Sequence, residues 1–200
     1  MQPSPATRPE YLAAFTELIQ RIAEPLRELP KRSLPIKMYV AGGAAMHFYI
    51  GERISNDVDA VFSKRIALPG DLEVAYPDPD GAARLLYFDR QYNDTFALLH
   101  EDAHDDSVPL ALKHVDASVL DVRLLSPLDL AVSKISRFSS QDRDDITALA
   151  RHGLIKSAAL RRRSLEAMQN YVGNLDTLKS TIEFACRIVE DAEHRSSGKR

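Results

Sequence analysis

The chain of 200 residues is 44% hydrophobic and 28% charged, the composition of an ordinary globular protein with enough apolar residues for a core. No segment approaches the roughly 18 consecutive apolar residues of a membrane span, and the N-terminus lacks the apolar region of a secretory signal. The single cysteine, Cys186, excludes an intrachain disulfide and a cysteine-based zinc site, so we expect a cytoplasmic protein that does not enter a membrane.

The first predicted elements are a helix, a strand, a glycine pair and a second helix. Apolar side chains recur at helical spacing over residues 9–29, which predicts an amphipathic helix. An apolar strand over residues 38–41 runs into Gly42 and Gly43, and a helical segment follows. A glycine pair lets backbone N–H groups approach a phosphate, because no Cβ atom stands in the way.

The next predicted strand, residues 56–62, carries two carboxylates one residue apart, Asp57 and Asp59. Side chains alternate along a strand, so both carboxylates point to one side while the apolar residues between and after them point into the core. Adjacent carboxylates repel each other unless a cation lies between them. Mg²⁺ suits this position because it takes a few carboxylates together with water and phosphate oxygens. The segment therefore indicates nucleotide chemistry.

The remaining pattern predicts more strands and then helices. Residues 63–83 are polar and contain Pro and Gly, and two apolar runs, 84–88 and 95–99, bracket a polar turn, which predicts a hairpin. A last strand covers residues 119–125, and a helix begins at Ser126. Further helices are predicted over residues 142–152, 156–171 and 174–193. We expect an α+β fold with a small mixed β-sheet flanked by helices and a helical C-terminal half.

The glycine pair followed by the two spaced aspartates resembles the signature of the DNA polymerase β-like nucleotidyltransferase superfamily. That signature is a hydrophobic residue and two small residues, a helix, and then Asp-hydrophobic-Asp-hydrophobic, which Gly42, Gly43, Asp57 and Asp59 match. The resemblance implies a nucleotidyltransferase core over residues 1–125. A helical region packed on that core is then expected over 126–195, with a disordered tail over 196–200.

A second motif follows the last predicted strand. Lys134 and Arg137 are one helical turn apart, and Asp142 and Asp145 stand at the start of the next helix. This spacing fits a cationic clamp for phosphates held by the Asp pair, and it equally fits a capped, salt-bridged pair of helices. The motif resembles the one in bacterial nucleotidyltransferases of the abortive-infection, type IV toxin–antitoxin group. That resemblance implies that Lys134 binds the nucleotide phosphates.

The third carboxylate of a full polymerase β-like site has no unambiguous counterpart. Such sites add an acidic residue from a neighbouring strand, which completes the coordination of two metal ions. Asp89, at the end of an apolar run, is favoured over Asp102. If neither completes the site, the protein is a weak or single-metal enzyme, or only a nucleotide-binding or partner-binding module on the same fold.

The resulting hypothesis is a metal-dependent transfer of an NMP from an NTP to a hydroxyl of an RNA, such as a tRNA 3′ end, or of a protein. Asp57 and Asp59 hold two Mg²⁺ ions, with Mn²⁺ as an alternative, and the glycine pair and Ser55 cradle the phosphates. Lys134 and Arg137 neutralise charge. The resemblance also implies a toxin with a cognate antitoxin. Three consecutive arginines, 161–163, offer a basic surface for nucleic acid, or else a solvated helix face.

Overall fold

The computed structural model describes residues 1–51, 53–94 and 97–197. Two compact units contain them: the first comprises Met1–Asn93 and Ser107–Leu124, and the second comprises 94–106 and the chain from Leu125 onward. The predicted α+β class is confirmed. The assignment of the first 125 residues to a catalytic core and of 126–195 to a packed helical region stays a prediction, and the predicted tail falls partly on residues 198–200, outside the described residues.

The first unit contains two helices and two small sheets. Its helices are α1 (Pro9–Leu26) and α2 (Gly42–Ile50). Its strands are β1 (Ile36–Val40), β2 (Asp57–Val58), β3 (Ala60–Phe62), β4 (Glu73–Pro77), β5 (Ala83–Phe88), β6 (Val108–Pro109) and β7 (Leu120–Leu124).

The two sheets share one segment of chain. In the first sheet β1 pairs with β3 antiparallel and with β7 parallel, and β6 lies along the outer side of β7. In the second sheet β5 pairs with β2 parallel and with β4 antiparallel. The predicted strand over residues 56–62 is therefore interrupted at Asp59, where the chain leaves the second sheet and enters the first.

The core of the first unit forms where α1 packs on β4 and where aromatic side chains of α1 and α2 meet. Phe15 and Phe48 are fully buried, and their ring centroids lie 4.7 Å apart in an edge-on arrangement that favours aromatic pairs. Val58 and Ala60 are buried as predicted, whereas the aspartates beside them stay partly exposed. The alternation expected of this segment is confirmed.

The predicted hairpin has a different partner strand. Residues 83–88 form β5, but β5 pairs with the preceding β4 rather than with residues 95–99. Residues 97–99 are not in a strand, and residues 95 and 96 lie outside the described residues. In β4 the side chains of Val74 and Tyr76 are buried and their neighbours are exposed, which is the period-two pattern of a half-buried strand. The prolines and glycines around it concealed this pattern.

The second unit is helical. Its helices are α3 (Pro127–Ser133), α4 (Ser140–Arg151), α5 (Ser157–Ala167) and α6 (Leu175–Ser197), and α6 packs on α4 and α5. The predicted start at Ser126 is confirmed, because its hydroxyl accepts a hydrogen bond from the backbone N–H of Asp129 at 3.1 Å. Among the described helices, none combines the length and the apolar character needed to cross a bilayer.

Candidate functional site

Asp57 and Asp59 lie where the chain crosses between the two sheets, beside the first residues of α2. The backbone carbonyl of Asp59 accepts a hydrogen bond from the N–H of Ala41, the residue before the glycine pair, at 2.8 Å. This bond holds the aspartate segment next to the start of α2. The pairing of β1 with β3 thus brings together two sequence motifs that are separated by a helix and a loop.

Gly42 is required by the close approach of Asp59. The backbone of Gly42 has a φ of +57°, which residues other than glycine rarely adopt. A Cβ atom at this position would overlap the Oδ2 atom of Asp59. A Cβ atom on Gly43 would lie 2.5 Å from the hydroxyl oxygen of Ser55. The glycines therefore admit a carboxylate and a hydroxyl of this chain, and the predicted approach of their N–H groups to a phosphate stays a prediction.

The start of α2 favours negative charge. The N-cap residue of this nine-residue helix, Ala41, makes no side-chain cap, and the first N–H groups and the dipole of the helix carry a partial positive charge. The carboxylate of Asp59 touches its first residue. Anionic groups at this end of α2 are consequently stabilised, which applies to the aspartate and would apply equally to phosphate oxygens.

Ser55 orients Asp57. Its buried hydroxyl donates a hydrogen bond to the Oδ1 atom of Asp57, which leaves the other carboxylate oxygen to different partners. The Nε atom of Arg53 lies beside Gly43, 3.3 Å from where a Cβ atom would stand. The loop over residues 53–55 thus places a cation and a hydroxyl next to the glycine pair. Contact between Ser55 and phosphate remains a prediction.

His47 ties this loop to α1. Its Nδ1 nitrogen lies 2.6 Å from the carbonyl oxygen of Arg53, and its Nε2 nitrogen accepts the backbone N–H of Arg8 at 3.1 Å. One nitrogen must donate and the other must accept, so these partners define a neutral imidazole. Burial lowers the pKa of His47, as does the charge of Arg8, while the hydrogen bond to Arg53 acts in the opposite direction.

Tyr11 places an unpaired hydroxyl in the same neighbourhood. Its ring is fully buried and its centroid lies 4.4 Å from that of His47, while its hydroxyl has no hydrogen-bond partner among the described residues. Burial raises the pKa of Tyr11, and the charges of Asp57 and Asp59 raise it further. The hydroxyl therefore stays protonated and can act as a hydrogen-bond donor.

Asp89, the favoured third carboxylate, lies directly after β5. Its backbone N–H donates to the carbonyl of Val58 at 3.1 Å, just beyond the last register pair of β2 and β5, Val58 with Phe88. Its Oδ1 atom accepts the N–H of Gln91 at 2.8 Å, so the side chain stabilises the following turn. The runner-up, Asp102, belongs to the second unit and is exposed.

The donor set fits a hard divalent cation held by two carboxylates. Asp57 and Asp59 are partly exposed oxygen donors near the start of a helix whose N-cap residue, Ala41, makes no side-chain cap. Within residues 1–51, 53–94 and 97–197, no three His, Cys, Asp or Glu side chains are grouped to hold a metal. Two carboxylates suit Mg²⁺, which keeps several waters and shares its other positions with substrate phosphates.

In the second unit Lys134 is a buried, ion-paired side chain. Its Nζ atom lies 2.6 Å from Oδ2 of Asp145 and 3.9 Å from Oδ1 of Asp142, and 6% of the side chain is exposed. The spacing of the motif thus produces the salt-bridged helix pair that was one of its two interpretations. The implied role of Lys134 at nucleotide phosphates stays a prediction.

Arg137 and Ser139 complete this cluster. Arg137 binds Asp142 through two hydrogen bonds of 2.8 and 2.7 Å, and Ser139 forms a capping box with the same carboxylate. Burial of Asp142 disfavours its charge, but the hydrogen bonds from Arg137 and Ser139 outweigh burial and lower its pKa to about 2. A carboxylate with this many donors is a structural anchor for α4.

The run of three arginines is only partly available to a ligand. Arg163 donates to Asp129 at 2.8 and 3.0 Å and to Asp106 at 2.7 Å, and Arg161 pairs with Glu183. These pairs neutralise two of the three cations, which weakens the interpretation as a nucleic-acid surface. The exposed Arg162 is the one that matches a solvated helix face.

Two residues near the carboxylates, His47 and Tyr11, were missed as functional candidates from the sequence. Both occur within apolar helices, where a histidine or tyrosine is usually read as core. The signal for His47 is weak but present, because a histidine flanked by Met46 and Phe48 on a buried helix needs two hydrogen-bond partners. Those partners come from distant positions, which periodicity does not indicate.

One comparison with known proteins identifies a family for this chain. A family model described as a nucleotidyltransferase of unknown function, DUF6036, matches residues 17–191, which include the glycine pair, both aspartates and Lys134. Neither a curated protein nor a solved structure matched the chain. The match extends over most of the 200 residues, and the chain therefore belongs to the DUF6036 family of nucleotidyltransferases.

Proposed function

We propose that this protein transfers an NMP group from an NTP to a hydroxyl of an RNA or protein, using a divalent cation held by Asp57 and Asp59. One observation carries the proposal: the Asp59 carboxylate meets the start of α2 at Gly42, and Ser55, which lies beside Gly43, holds the Asp57 carboxylate next to it. Membership of a nucleotidyltransferase family supports the same reaction class.

In the proposed reaction the acceptor oxygen attacks the α-phosphorus and forms a new phosphorus–oxygen bond. The bond from the α-phosphorus to the oxygen that bridges it to the β-phosphate breaks, pyrophosphate leaves with the electron pair, and the hydroxyl proton passes to solvent. Asp57 and Asp59 would hold Mg²⁺, which when bound would neutralise charge on the phosphates and lower the pKa of the acceptor hydroxyl.

The side chains of this chain position that chemistry. Ser55 fixes the carboxylate orientation of Asp57 through its hydrogen bond, and the start of α2 offers N–H groups to phosphate oxygens. Arg53 lies beside Gly43, where its charge favours a polyphosphate. Positioning and electrostatic stabilisation account for most of the catalysis of phosphoryl transfer. In this proposal Ser55 contributes to positioning, and the start of α2 and Arg53 contribute to electrostatic stabilisation.

The direct test is transfer of label from α-³²P NTPs in Mg²⁺ to RNA or to protein acceptors. We expect labelling by the wild-type protein and a loss of about 10²-fold or more in Asp57→Asn and in Asp59→Asn. Asp176→Asn is the matched control, because that side chain is 96% exposed in the second unit. Labelling that persists in both aspartate variants would overturn the assignment.

A second candidate is a nucleotide-binding module without turnover. It is favoured by the side chain of Asp89, which is engaged in a turn, and by the lack of a three-carboxylate cluster in the part of the chain that the structure describes. Calorimetry that detects Mg²⁺·NTP binding, combined with no transfer to any acceptor, would support this candidate over the enzyme.

The toxin role is the most specific part of the proposal. It rests on the resemblance of the motif around Lys134 to that of the toxin–antitoxin nucleotidyltransferases. Its test is the growth of bacterial cells that express the wild-type protein or Asp57→Asn at equal levels. We expect growth arrest with the wild type alone. Equal growth with both proteins would remove the toxin role and leave the transfer reaction as proposed.

A further inference from the structure

The outward face of β5 carries two large exposed side chains, Leu85 and Tyr87. Leu85 is 43% exposed and Tyr87 is 39% exposed, whereas the alternating residues Leu86 and Phe88 are buried. Side chains at positions i and i+2 of a strand share one face, so Leu85 and Tyr87 form an apolar and aromatic surface on the open side of the second sheet. The exposed surfaces of Leu85 and Tyr87 are not part of the hydrophobic core.

The exposed tyrosine is a direct neighbour of a candidate catalytic carboxylate. In the parallel pairing of β2 with β5, Asp57 stands opposite Tyr87 and Val58 stands opposite Phe88. Val58 and Phe88 are buried, so Asp57 and Tyr87 occupy the other, open face. Neighbouring strands of a sheet lie about 4.8 Å apart, so the side chains of Asp57 and Tyr87 are adjacent on that face.

We propose that Tyr87 is a stacking platform for a nucleobase, with Leu85 extending its apolar surface. The inference rests on the proposed function and names the part of the substrate that this face binds. Tyr87 neighbours Asp57, which in the proposed function lies at the reacting phosphate. Its ring can therefore contact the base of a nucleotide whose phosphate is at Asp57. Stacking on tyrosine accepts any base, because every base has a π-face.

The base can come from the NTP or from the terminal nucleotide of an RNA acceptor, and both sources present the same planar ring. Glu73 is the residue of β4 that pairs with Tyr87 on its other side. A carboxylate there disfavours a phosphate at that position, so the phosphates lie toward Asp57 and the base toward the β4 side. This polarity depends on the cation proposed at Asp57, because Asp57 and Glu73 carry the same charge.

The chain contains no tryptophan, so Tyr87→Trp introduces a single fluorescent indole at the proposed platform. We expect saturable quenching of this indole by Mg²⁺·NTP if the base of the donor nucleotide stacks, or by short single-stranded RNA alone if the acceptor base stacks. Mg²⁺·tripolyphosphate, which has no base, should leave the emission unchanged. Phe184→Trp, at an aromatic position 58% exposed on α6, is the control for non-specific quenching.

Affinity provides the second measurement. Tyr87→Ala should weaken binding of the quenching ligand about tenfold, and Tyr87→Phe should retain it, since stacking needs the ring and not the hydroxyl. Tripolyphosphate binding should be equal in all three proteins. Equal affinity of the wild type and Tyr87→Ala for both NTP and RNA would overturn the platform while transfer by the wild type still upholds the proposed function. Absence of transfer and of all NTP binding would overturn both.

Discussion

The Nδ1 nitrogen of His47 lies 2.6 Å from the carbonyl oxygen of Arg53, two residues before the serine whose hydroxyl holds Asp57. The other ring nitrogen accepts a backbone N–H of Arg8, so one buried imidazole connects the start of α1 to the loop that orients a carboxylate. His47 contacts no reacting atom. It is a positioning residue whose effect on transfer passes through the loop.

Two substitutions at His47 separate its two hydrogen bonds. The amide of Asn reaches the position of Nδ1 and can donate to Arg53, whereas the amide of Gln reaches the position of Nε2 and can accept only from Arg8. We expect His47→Asn to keep most of the transfer activity and His47→Gln to lose about tenfold in kcat/KM, because only the former restrains the loop.

His47→Asn and His47→Gln each lose one hydrogen bond and a similar amount of packing. Their melting temperatures should fall by similar amounts, which thermal unfolding measures. A purely structural role would make activity follow stability in both variants. Equal activity losses in His47→Asn and His47→Gln would therefore contradict the positioning role.

Gly42→Ala should displace the Asp59 side chain. The new methyl group would overlap the Oδ2 atom of Asp59, and the φ of +57° adds backbone strain of about 1 kcal/mol. We expect transfer activity to fall at least a hundredfold, measured with labelled NTP. Gly70→Ala is the matched control, because nothing lies within 4 Å of a Cβ atom at that position. A fully active Gly42→Ala protein would show that the close approach of Asp59 is unnecessary.

Lys134→Met should destabilise the protein by about 3 kcal/mol, because it removes the ammonium group that neutralises the buried Asp145 carboxylate. The double variant Lys134→Met/Asp145→Leu should recover most of that loss, since no unpaired charge remains. Chemical denaturation measures both changes. No recovery in the double variant would contradict the ion-pair explanation.

The same double variant tests the implied role of Lys134 at phosphates. If the ammonium group binds nucleotide, transfer stays low after stability has recovered. If the lysine serves the ion pair alone, activity returns together with stability. The comparison of activity with unfolding free energy in one protein thus separates the two interpretations that the motif allows.

Asp142 should make stability fall in acid. Its folded pKa of about 2 lies below the ordinary value of 3.8, so its ionised form stabilises the fold above pH 4. This contribution, about 2 kcal/mol, is lost as the pH falls from 4 toward 2. Unfolding free energies of the wild type and Asp142→Asn should therefore converge over that range, and parallel pH profiles would contradict the assigned pKa.

Much of the fold was predictable because its signals are local. Helical spacing of apolar side chains predicted α1, and the cap at Ser126 predicted the start of α3. The predicted hairpin of residues 84–88 with residues 95–99 was wrong. Strand pairing depends on the burial of both faces and on turn geometry, and not on which apolar run is nearer along the chain. The half-buried alternation of β4 was present but lay among prolines.

The site was predictable to the level of its motif and no further. Gly42 and Asp59 follow a recognisable spacing, and their contact explains why the first of the two positions must lack a Cβ atom. The hydrogen bond of Ser55 to Asp57 joins near neighbours and is short-range. His47 and Tyr11 join the site through contacts between α1 and α2, which arise only when the chain has folded.

The most direct test of the central claim is a titration with Mn²⁺, followed by the electron paramagnetic resonance of the free ion, in the presence of a non-hydrolysable NTP. We expect saturable binding by the wild type and by Asp176→Asn, and at least tenfold weaker binding by Asp57→Asn and Asp59→Asn. Equal Mn²⁺ affinity of the wild type and of an Asp57→Asn/Asp59→Asn double variant would contradict the claim that these two carboxylates hold the metal.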